Sequence, residues 1–279
     1  MKMHLSARLK WALYALVLAI IALVFIFPYY WLFISAFKTR EKIFTMPPQF
    51  VPEPWVFSNF TDVFQMTNLA GAFLNSTIIA LGHVALTLFL CSLGGYAFAK
   101  FRRAPGLEAL FAFVLGAMMI PMAVTMIPLF VMLARLRLVD TYWAMILPGA
   151  ASAFGIFWMR QYIESNVHDD LLAAARVDGC TEFGLYWRIV LPVARPALAA
   201  LGILTLISSW NNLMWAFVVL RTERMYTMPL VIYLLQGERR VPYGMVMAGG
   251  LLATLPLIIA FLLFQRAFIR GITAGALKA

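Results

Sequence analysis

Long apolar segments, separated by short polar ones, run through this sequence from end to end. Six of them contain no Asp, Glu, Lys or Arg, and every charged residue lies between or beyond them. A helix that crosses a membrane needs about 20 mostly apolar residues, because the hydrocarbon core is roughly 30 Å thick and each residue adds about 1.5 Å. The pattern therefore predicts six transmembrane helices, over residues 11–37, 71–99, 109–134, 141–159, 197–220 and 245–265.

Composition indicates that lipid is the solvent around these helices. Of the 279 residues, 63% are hydrophobic and 12% are charged, against roughly 45–50% and about 25% in ordinary soluble domains. The first apolar run is much longer than the ~7–15 residues of a signal-peptide core, so we interpret it as an uncleaved span. We predict an all-α integral membrane protein in which residues 1–279 form a single transmembrane domain.

Basic residues indicate the orientation. With the amino terminus in the cytoplasm, 13 Lys and Arg residues lie on the cytoplasmic side and nine on the other, and loops rich in Lys and Arg tend to stay inside. Both termini and the loop 160–196 are then cytoplasmic. The net charge of +10 is spread over all loops, which favours contact with anionic lipid over nucleic acid. The two cysteines give no disulfide framework.

The cytoplasmic loop 160–196 carries the most informative local pattern. Asp169 or Asp170 is expected to cap the start of a short helix, where a carboxylate also favours the positive end of the helix dipole. Gly179 suits its end, because glycine adopts the left-handed conformation freely. Thr181 is expected to cap a second helix, which Pro192 ends. The helix–turn–helix then lies outside the bilayer, either on the lipid surface or as a docking surface for a cytoplasmic partner. Its expected apolar face comprises Phe183, Tyr186, Trp187 and Val190.

This loop resembles the EAA loop of permeases from ATP-binding-cassette (ABC) importers. The similarity rests on Ala174-Ala175-Arg176-Val177-Asp178-Gly179, then Phe183, Trp187-Arg188-Ile189-Val190-Leu191-Pro192 and Pro196. Other segments resemble the carbohydrate branch of these permeases, which contains the maltose-type importers. They are the proline-rich residues 44–60, Trp210-Asn211-Asn212, residues 225–230 and the carboxyl-terminal residues 268–276.

The resemblance implies a permease subunit, not an enzyme, that moves a sugar or sugar-like solute across the cytoplasmic membrane of a bacterium or archaeon. It implies three partners: a second, non-identical permease, a cytoplasmic ATPase dimer and an extracytoplasmic solute-binding protein. It implies no catalytic residue, metal or cofactor in this chain, since ATP and Mg²⁺ bind the partner ATPase. It places coupling to that ATPase on Ala173, Ala174, Ala175, Arg176, Asp178, Gly179 and Phe183.

One residue departs from the family pattern. The family usually has Glu where this chain has Ala173. Alanine keeps the helix but removes a charge that could pair with Arg176, an effect of only a few tenths of a kcal/mol on an exposed helix. We therefore expect docking to survive on shape and apolar contact.

Polar and aromatic residues inside the predicted spans are candidates for the solute path. Amides and hydroxyls bind sugar hydroxyls, and flat rings pack against sugar C–H faces. The same polar groups also serve as hydrogen bonds between helices. His83 is the one histidine inside a span, and we favour a neutral ring bonded to a neighbouring helix over a proton relay. The predicted path residues are Asn75, Ser208, Trp210, Asn211, Asn212 and Trp215.

Four other functions fit the sequence less well. An ion-coupled secondary transporter usually places acidic residues in its spans and has inverted repeats, and neither is visible here. A membrane enzyme is disfavoured, because HExxH, Cys-x-x-Cys and Gly-rich phosphate motifs are missing. Composition alone leaves open a structural or assembly protein. A permease for a glycerol phosphodiester or phosphate ester is the nearest alternative, since Arg239-Arg240 would favour an anion.

Overall fold

The computed structural model describes residues 2–237 and 241–276, with side chains over residues 9–237 and 241–265. Fifteen α-helices and no strand occur in that part of the chain. A π-helical turn, Tyr186–Val190, and a 3₁₀ turn, Glu223–Met225, complete the helical segments. The helices are α1 Lys2–Ser35, α2 Arg40–Ile43, α3 Ser58–Met66, α4 Leu69–Lys100, α5 Leu107–Ala117, α6 Met122–Arg135, α7 Tyr142–Ile146, α8 Ala153–Asn166, α9 Asp169–Val177, α10 Glu182–Leu185, α11 Leu191–Val193, α12 Arg195–Trp210, α13 Leu213–Val219, α14 Met228–Gly237 and α15 Tyr243–Ala276.

Three of the described helices are long and apolar enough to cross a membrane: Leu9–Ser35 within α1, all of α4, and Tyr243–Gln265 within α15. Two further pairs meet the same test if each bent pair is one span. The α5–α6 pair bends by 103°, and the pair formed by Glu182–Val193 and α12 bends by 78°. The described residues therefore contain three to five candidate spans, and the count of six stays a prediction.

Three predicted spans coincide with broken helices. The window 109–134 falls on α5 and α6, which part before Pro121, a residue that has no N–H to continue the ladder. The window 141–159 falls on α7 and α8, separated by a link in which Gly149 has a left-handed φ of 77°. The window 197–220 falls on α12 and α13, where Asn212 caps the second helix. Apolar length predicts the segment, but local backbone chemistry decides where it breaks.

The described residues form two compact units, residues 2–69 with 232–237 and 241–254, and residues 70–231 with 255–276. In the first unit, the Asn59 amide donates to the carbonyls of Ala36 (2.9 Å) and Lys38 (3.0 Å). Lys38 is 1% exposed, and its ammonium donates to the Gln49 carbonyl and lies 4.6 Å from the Trp31 ring centroid. These contacts tie the end of α1 to the proline-rich loop that follows it.

The second unit contains a buried apolar cluster where α4 packs against α8, α10, α12 and the π-helical turn. Close approach of α4 and α8 depends on small residues. A Cβ on Gly95 would lie 2.5 Å from the Cβ of Met159, and a Cβ on Gly155 would lie 2.6 Å from the Cys91 Sγ. Small residues at such contacts let helix backbones approach closely in membranes. This cluster supports the loop that follows α8.

Candidate functional site

The loop after α8 begins with helix α9. Its first residue, Asp169, pairs with Lys100 at 2.5 Å instead of capping the helix, and His168 occupies the N-cap position without a side-chain hydrogen bond. The prediction of an aspartate cap was therefore wrong, although Asp169 and Asp170 do lie in the first turn. The hydrogen bond and the charge of Lys100 lower the pKa of Asp169. An acidic first turn also complements the helix dipole.

Helix α9 ends in a Schellman motif. The Cys180 N–H donates to the Ala175 carbonyl (2.9 Å), and the Gly179 N–H donates to the Arg176 carbonyl (3.0 Å). This pair of bonds requires a left-handed conformation at the residue that follows the C-cap. That residue is Gly179, which has a φ of 80°. The predicted role of Gly179 in ending the helix is confirmed.

The second helix of the loop begins as predicted and continues further than predicted. The Thr181 hydroxyl accepts from the Gly184 N–H at 3.2 Å, so Thr181 caps α10. The backbone then passes through the π-helical turn into α11 and breaks only at Ala194. The prediction that Pro192 ends the helix was wrong, because the Ala194 N–H still bonds to the Val190 carbonyl (2.8 Å), a helical bond that spans Pro192.

The π-helical turn divides the predicted aromatic face. Tyr186 is 1% exposed and Val190 is fully buried, so both belong to the apolar cluster. Phe183 is 62% exposed and stacks on Trp187, which is 56% exposed, with the ring centroids 6.2 Å apart. Val177, at the end of α9, is 88% exposed. We call residues 169–190 the docking loop; it presents exposed apolar groups, a pattern typical of a binding surface.

A bidentate ion pair joins the two helices of the docking loop. The Arg176 Nε and Nη2 donate to the two Glu182 carboxylate oxygens at 2.7 and 3.2 Å. The Glu182 bond raises the pKa of Arg176. The Tyr96 hydroxyl donates to the same Glu182 carboxylate at 2.9 Å. Glu182 thus supplies the acidic partner for Arg176 that Ala173 cannot supply.

All seven predicted coupling residues lie in the docking loop. Ala175 is half-buried, and the other six are exposed. Ala173 lines a cavity of about 660 Å³ together with Lys100, Arg102 and Arg103. Their assignment to coupling stays a prediction.

A second feature, which we call the polar cavity, lies between α4, α6, α7, α8, α12 and α13. It has a volume of about 620 Å³, and none of its described lining residues is Asp, Glu, Lys or Arg. Its polar lining consists of His83, Thr125, Ser152, Thr205, Ser208, Ser209 and Asn212. Its apolar lining consists of Met122, Leu129, Met145, Pro148, Gly149, Phe154, Leu201, Leu204 and Trp215. Hydroxyls and amides among apolar groups suit a neutral, hydroxyl-bearing ligand.

His83 is held against the end of α7. Helix α7 ends at Ile146, and the Ala150 N–H donates to the Leu147 carbonyl instead of continuing the helical hydrogen bonds. The His83 Nδ1 lies 2.8 Å from the Ile146 carbonyl oxygen and supplies that carbonyl with a donor. In a neutral ring this bond leaves Nε2 as an acceptor. The rest of the ring lines the polar cavity.

The structure divides the predicted path residues into two groups. Ser208, Asn212 and Trp215 line the polar cavity. The Trp215 indole N–H is bonded to the Ala144 carbonyl at 2.8 Å, so Trp215 offers the cavity its ring. Asn75, Trp210 and Asn211 are not among the described lining residues.

The three remaining path residues have other contacts. The Asn75 amide donates to the carbonyls of Arg224 (2.8 Å) and Tyr226 (3.0 Å), and its oxygen accepts from the Tyr142 hydroxyl. The Asn211 amide donates to the Ile207 carbonyl of its own helix. Trp210 is 5% exposed and packs edge-on against Phe73.

Sequence reasoning did not find Thr125, Ser152 or Thr205 as cavity-lining residues, because each is a single hydroxyl in an apolar run and gives no pattern of its own. It also did not find Ser92, Tyr96 and Lys100, which contact the docking loop. Their spacing of four residues was the available signal, since it places them on one helix face. Among the described residues, no group of three or more His, Cys, Asp or Glu side chains could hold a metal ion.

The sequence matches a known protein family and is similar to named relatives. Residues 92–274 match the family model described as "Binding-protein-dependent transport system inner membrane component". The chain is 37% identical over 261 residues to the arabinooligosaccharides transport system permease protein AraQ of Bacillus subtilis (strain 168), with 92% of each chain covered. It is 36% identical over 262 residues to the lactose transport system permease protein LacG of Rhizobium radiobacter, with 94% of each covered.

A solved structure is similar over nearly the whole chain. It is the crystal structure of a bacterial ABC transporter involved in the import of the acidic polysaccharide alginate. The matched chain has a TM-score of 0.80 and 27% sequence identity. The alignment covers 94% of this chain and 98% of that one.

Proposed function

This chain belongs to the family of binding-protein-dependent transport system inner membrane components, and on that premise we propose the part it plays in transport. It is the permease subunit of an ABC importer for sugars and not an enzyme itself. The observation that carries this conclusion is the family match over residues 92–274, a range that includes the whole docking loop.

The docking loop supports a proposal about the energy source. A two-state membrane body moves from mostly one state to mostly the other only when a ligand discriminates between them by roughly 5.5 kcal/mol. A solute that must be released again cannot supply that bias throughout a cycle. We assign it to a cytoplasmic ATPase dimer that holds the exposed side of the docking loop, with ATP and Mg²⁺ bound by the ATPase and no cofactor in this chain.

The family also guides the proposals about topology and partners. We propose six spans with both termini in the cytoplasm of a bacterial or archaeal cell, the fourth span being formed by α7 and α8. A second, non-identical permease completes the path, and an extracytoplasmic binding protein delivers the solute. Membrane lipid surrounds the apolar faces.

The lining of the polar cavity supports a neutral sugar as the solute. Two relatives at 36–37% identity are named for arabinooligosaccharides and lactose, both of which are uncharged. A phosphate ester or glycerol phosphodiester would need cationic partners, and the described cavity lining includes no Lys or Arg. Arg239 and Arg240, which favoured an anion, lie outside the described residues.

Purification in mild detergent tests the assembly. We expect an ATPase and a second permease to co-purify with this chain. In vesicles, the complex should import lactose or an arabinooligosaccharide with ATP and the loaded binding protein, and should not import glycerol 3-phosphate. A chain that purifies alone or as a homo-oligomer, with uptake driven by an ion gradient, would contradict the proposal.

Substitutions at Ser208 and Asn211 test whether the polar cavity is the solute path. Ser208→Leu places an apolar side chain in the cavity, and we expect a roughly five- to thirtyfold lower maximal uptake rate, equivalent to about 1–2 kcal/mol. Asn211→Leu is the matched control, because Asn211 is exposed and lies one turn away without lining the cavity. Uptake should be measured at saturating binding protein. Equal effects of the two changes would place the path elsewhere.

A further inference from the structure

Helix α4 carries a polar stripe along the face that contacts the docking loop. Ser92, Tyr96 and Lys100 are four residues apart, so their side chains lie above one another on one helix face. We call these three residues the α4 stripe. These three polar groups are in register on the face of α4 that meets the docking loop, which indicates a specific contact.

Each residue of the α4 stripe binds a different part of the loop. The Tyr186 hydroxyl lies 2.8 Å from the Ser92 hydroxyl, which itself donates to the Leu88 carbonyl, so Tyr186 is the donor of this pair. The Tyr96 hydroxyl donates to Glu182 at 2.9 Å. The Lys100 ammonium donates to the Val167 carbonyl at 2.6 Å and pairs with Asp169 at 2.5 Å. The contacts therefore reach the start of α9, the start of α10 and the π-helical turn.

Burial makes these contacts costly to break one at a time. Ser92 and Tyr186 are each 1% exposed, Tyr96 is 4% exposed, and the Lys100 side chain is 7% exposed. A buried polar group on α4 that loses its partner has little access to water, so the bonds favour joint movement of α4 and the loop. On the loop side, the Glu182 and Asp169 side chains are 47% and 85% exposed, so these two carboxylates can bind water as well. The Arg176–Glu182 ion pair extends this linkage to α9.

The same helix reaches the polar cavity. His83 lies on α4 thirteen residues before Tyr96, a rise of about 20 Å along the axis. Its Nδ1 is bonded to the end of α7, and its ring lines the cavity. One continuous helix thus joins the docking loop to the cavity wall.

We propose that the α4 stripe transmits displacement of the docking loop to the wall of the polar cavity, with Tyr96 and its partner Glu182 as positioning residues for transport. The inference rests on the proposed function, because it assumes that the ATPase moves the docking loop. A physical connection between two sites carries coupling only if both sites bias the same element, and α4 is that element here.

The test measures sugar molecules imported per ATP hydrolysed. The complex is reconstituted in vesicles with its binding protein, and lactose is the probe if the wild-type complex imports it, otherwise an arabinooligosaccharide. We expect Tyr96→Phe to keep the ATPase bound, to keep hydrolysis within twofold of wild type, and to lower the ratio at least fivefold. Tyr162→Phe is the matched control, because Tyr162 packs against the same apolar cluster and its hydroxyl makes no hydrogen bond with any described residue.

Glu182→Gln provides a second variant that tests the same contact from the loop side. If the contact transmits motion, Tyr96→Phe combined with Glu182→Gln should lower the ratio no more than the stronger single change. An unchanged ratio, whether both rates persist or both fall together, overturns the proposal. A wild-type complex that shows no ATP-dependent sugar uptake would instead contradict the proposed function, before any variant is compared.

Discussion

Replacing Gly179 with valine is expected to weaken binding of the partner ATPase by roughly five- to thirtyfold. Gly179 has a φ of 80° and closes the Schellman motif at the end of α9. The left-handed conformation costs a residue with a side chain about 1–2 kcal/mol, and the cost is highest for a β-branched residue. The variant chain therefore favours a different loop backbone, and the population with the docking-competent shape falls by that factor. Titration of the permease complex with the isolated ATPase measures the change.

Gly179→Asn separates backbone shape from simple crowding. Asparagine is similar in size to valine but tolerates the left-handed conformation. Nothing lies within 4 Å of a Cβ built on Gly179, so neither side chain collides within this chain. We expect Gly179→Asn to bind the ATPase nearly as well as wild type. An equal loss of ATPase binding in both variants would mean that the partner crowds this position. Full binding by Gly179→Val would mean that docking does not depend on the backbone shape of the loop.

Local sequence chemistry correctly predicted the turn between the two docking-loop helices, although it did not predict their outer ends or the exposed face. The turn at Gly179 and Thr181 depends on hydrogen bonds between residues at most five positions apart, so their roles can be predicted from a short segment of sequence. The aromatic face was predicted from a constant helical period. The π-helical turn at Tyr186–Val190 changes that period, and it leaves Phe183 and Trp187 exposed while Tyr186 is buried. A change of helix type inside a run has no signature in the spacing of apolar residues.

The polar cavity was only partly predictable, because a cavity is formed by residues that are distant in sequence. Ser208, Asn212 and Trp215 were selected as polar or aromatic residues in one span, but the same criterion also selected Trp210 and Asn211, which are not among the described lining residues. Asn75 is likewise a polar residue in a predicted span, yet its amide donates to carbonyls 149 and 151 residues away. Only the packing of helices distinguishes an amide that binds a loop from one that lines a cavity.

Gly95→Ala is expected to lower the stability of the protein by about 1–3 kcal/mol or more, the usual cost of overpacking a close contact. A Cβ at this position would lie 2.5 Å from the Met159 Cβ, 2.8 Å from the Arg160 nitrogen and 2.9 Å from the Met159 carbonyl carbon. Two of these three atoms are backbone atoms of α8, so no rotation of a side chain relieves the clash. The two helices must separate. Thermal unfolding in detergent measures the loss.

The preceding residue supplies a matched control on the same helix. A Cβ on Gly94 would meet only the Ile156 side chain, at 3.4 Å and beyond, which is ordinary contact. Gly94→Ala also removes an unfavourable helix residue, a gain of roughly 0.5–1 kcal/mol. We therefore expect a neutral or raised unfolding temperature for Gly94→Ala and a lowered one for Gly95→Ala. Equal behaviour of the two variants would mean that α4 and α8 are not in the close contact described above.

Gly95 also bears on how α4 acts, because it directly precedes Tyr96 in the α4 stripe. Separation of α4 from α8 would move the Tyr96 hydroxyl relative to Glu182 and would disturb transport as well as stability. Tyr96→Phe removes only the hydroxyl and leaves the contact of Gly95 with Met159 in place. If transport fails in Gly95→Ala in proportion to the folded protein that remains, the close contact is structural support. If uptake per folded complex falls further, the same contact also sets the position of the α4 stripe.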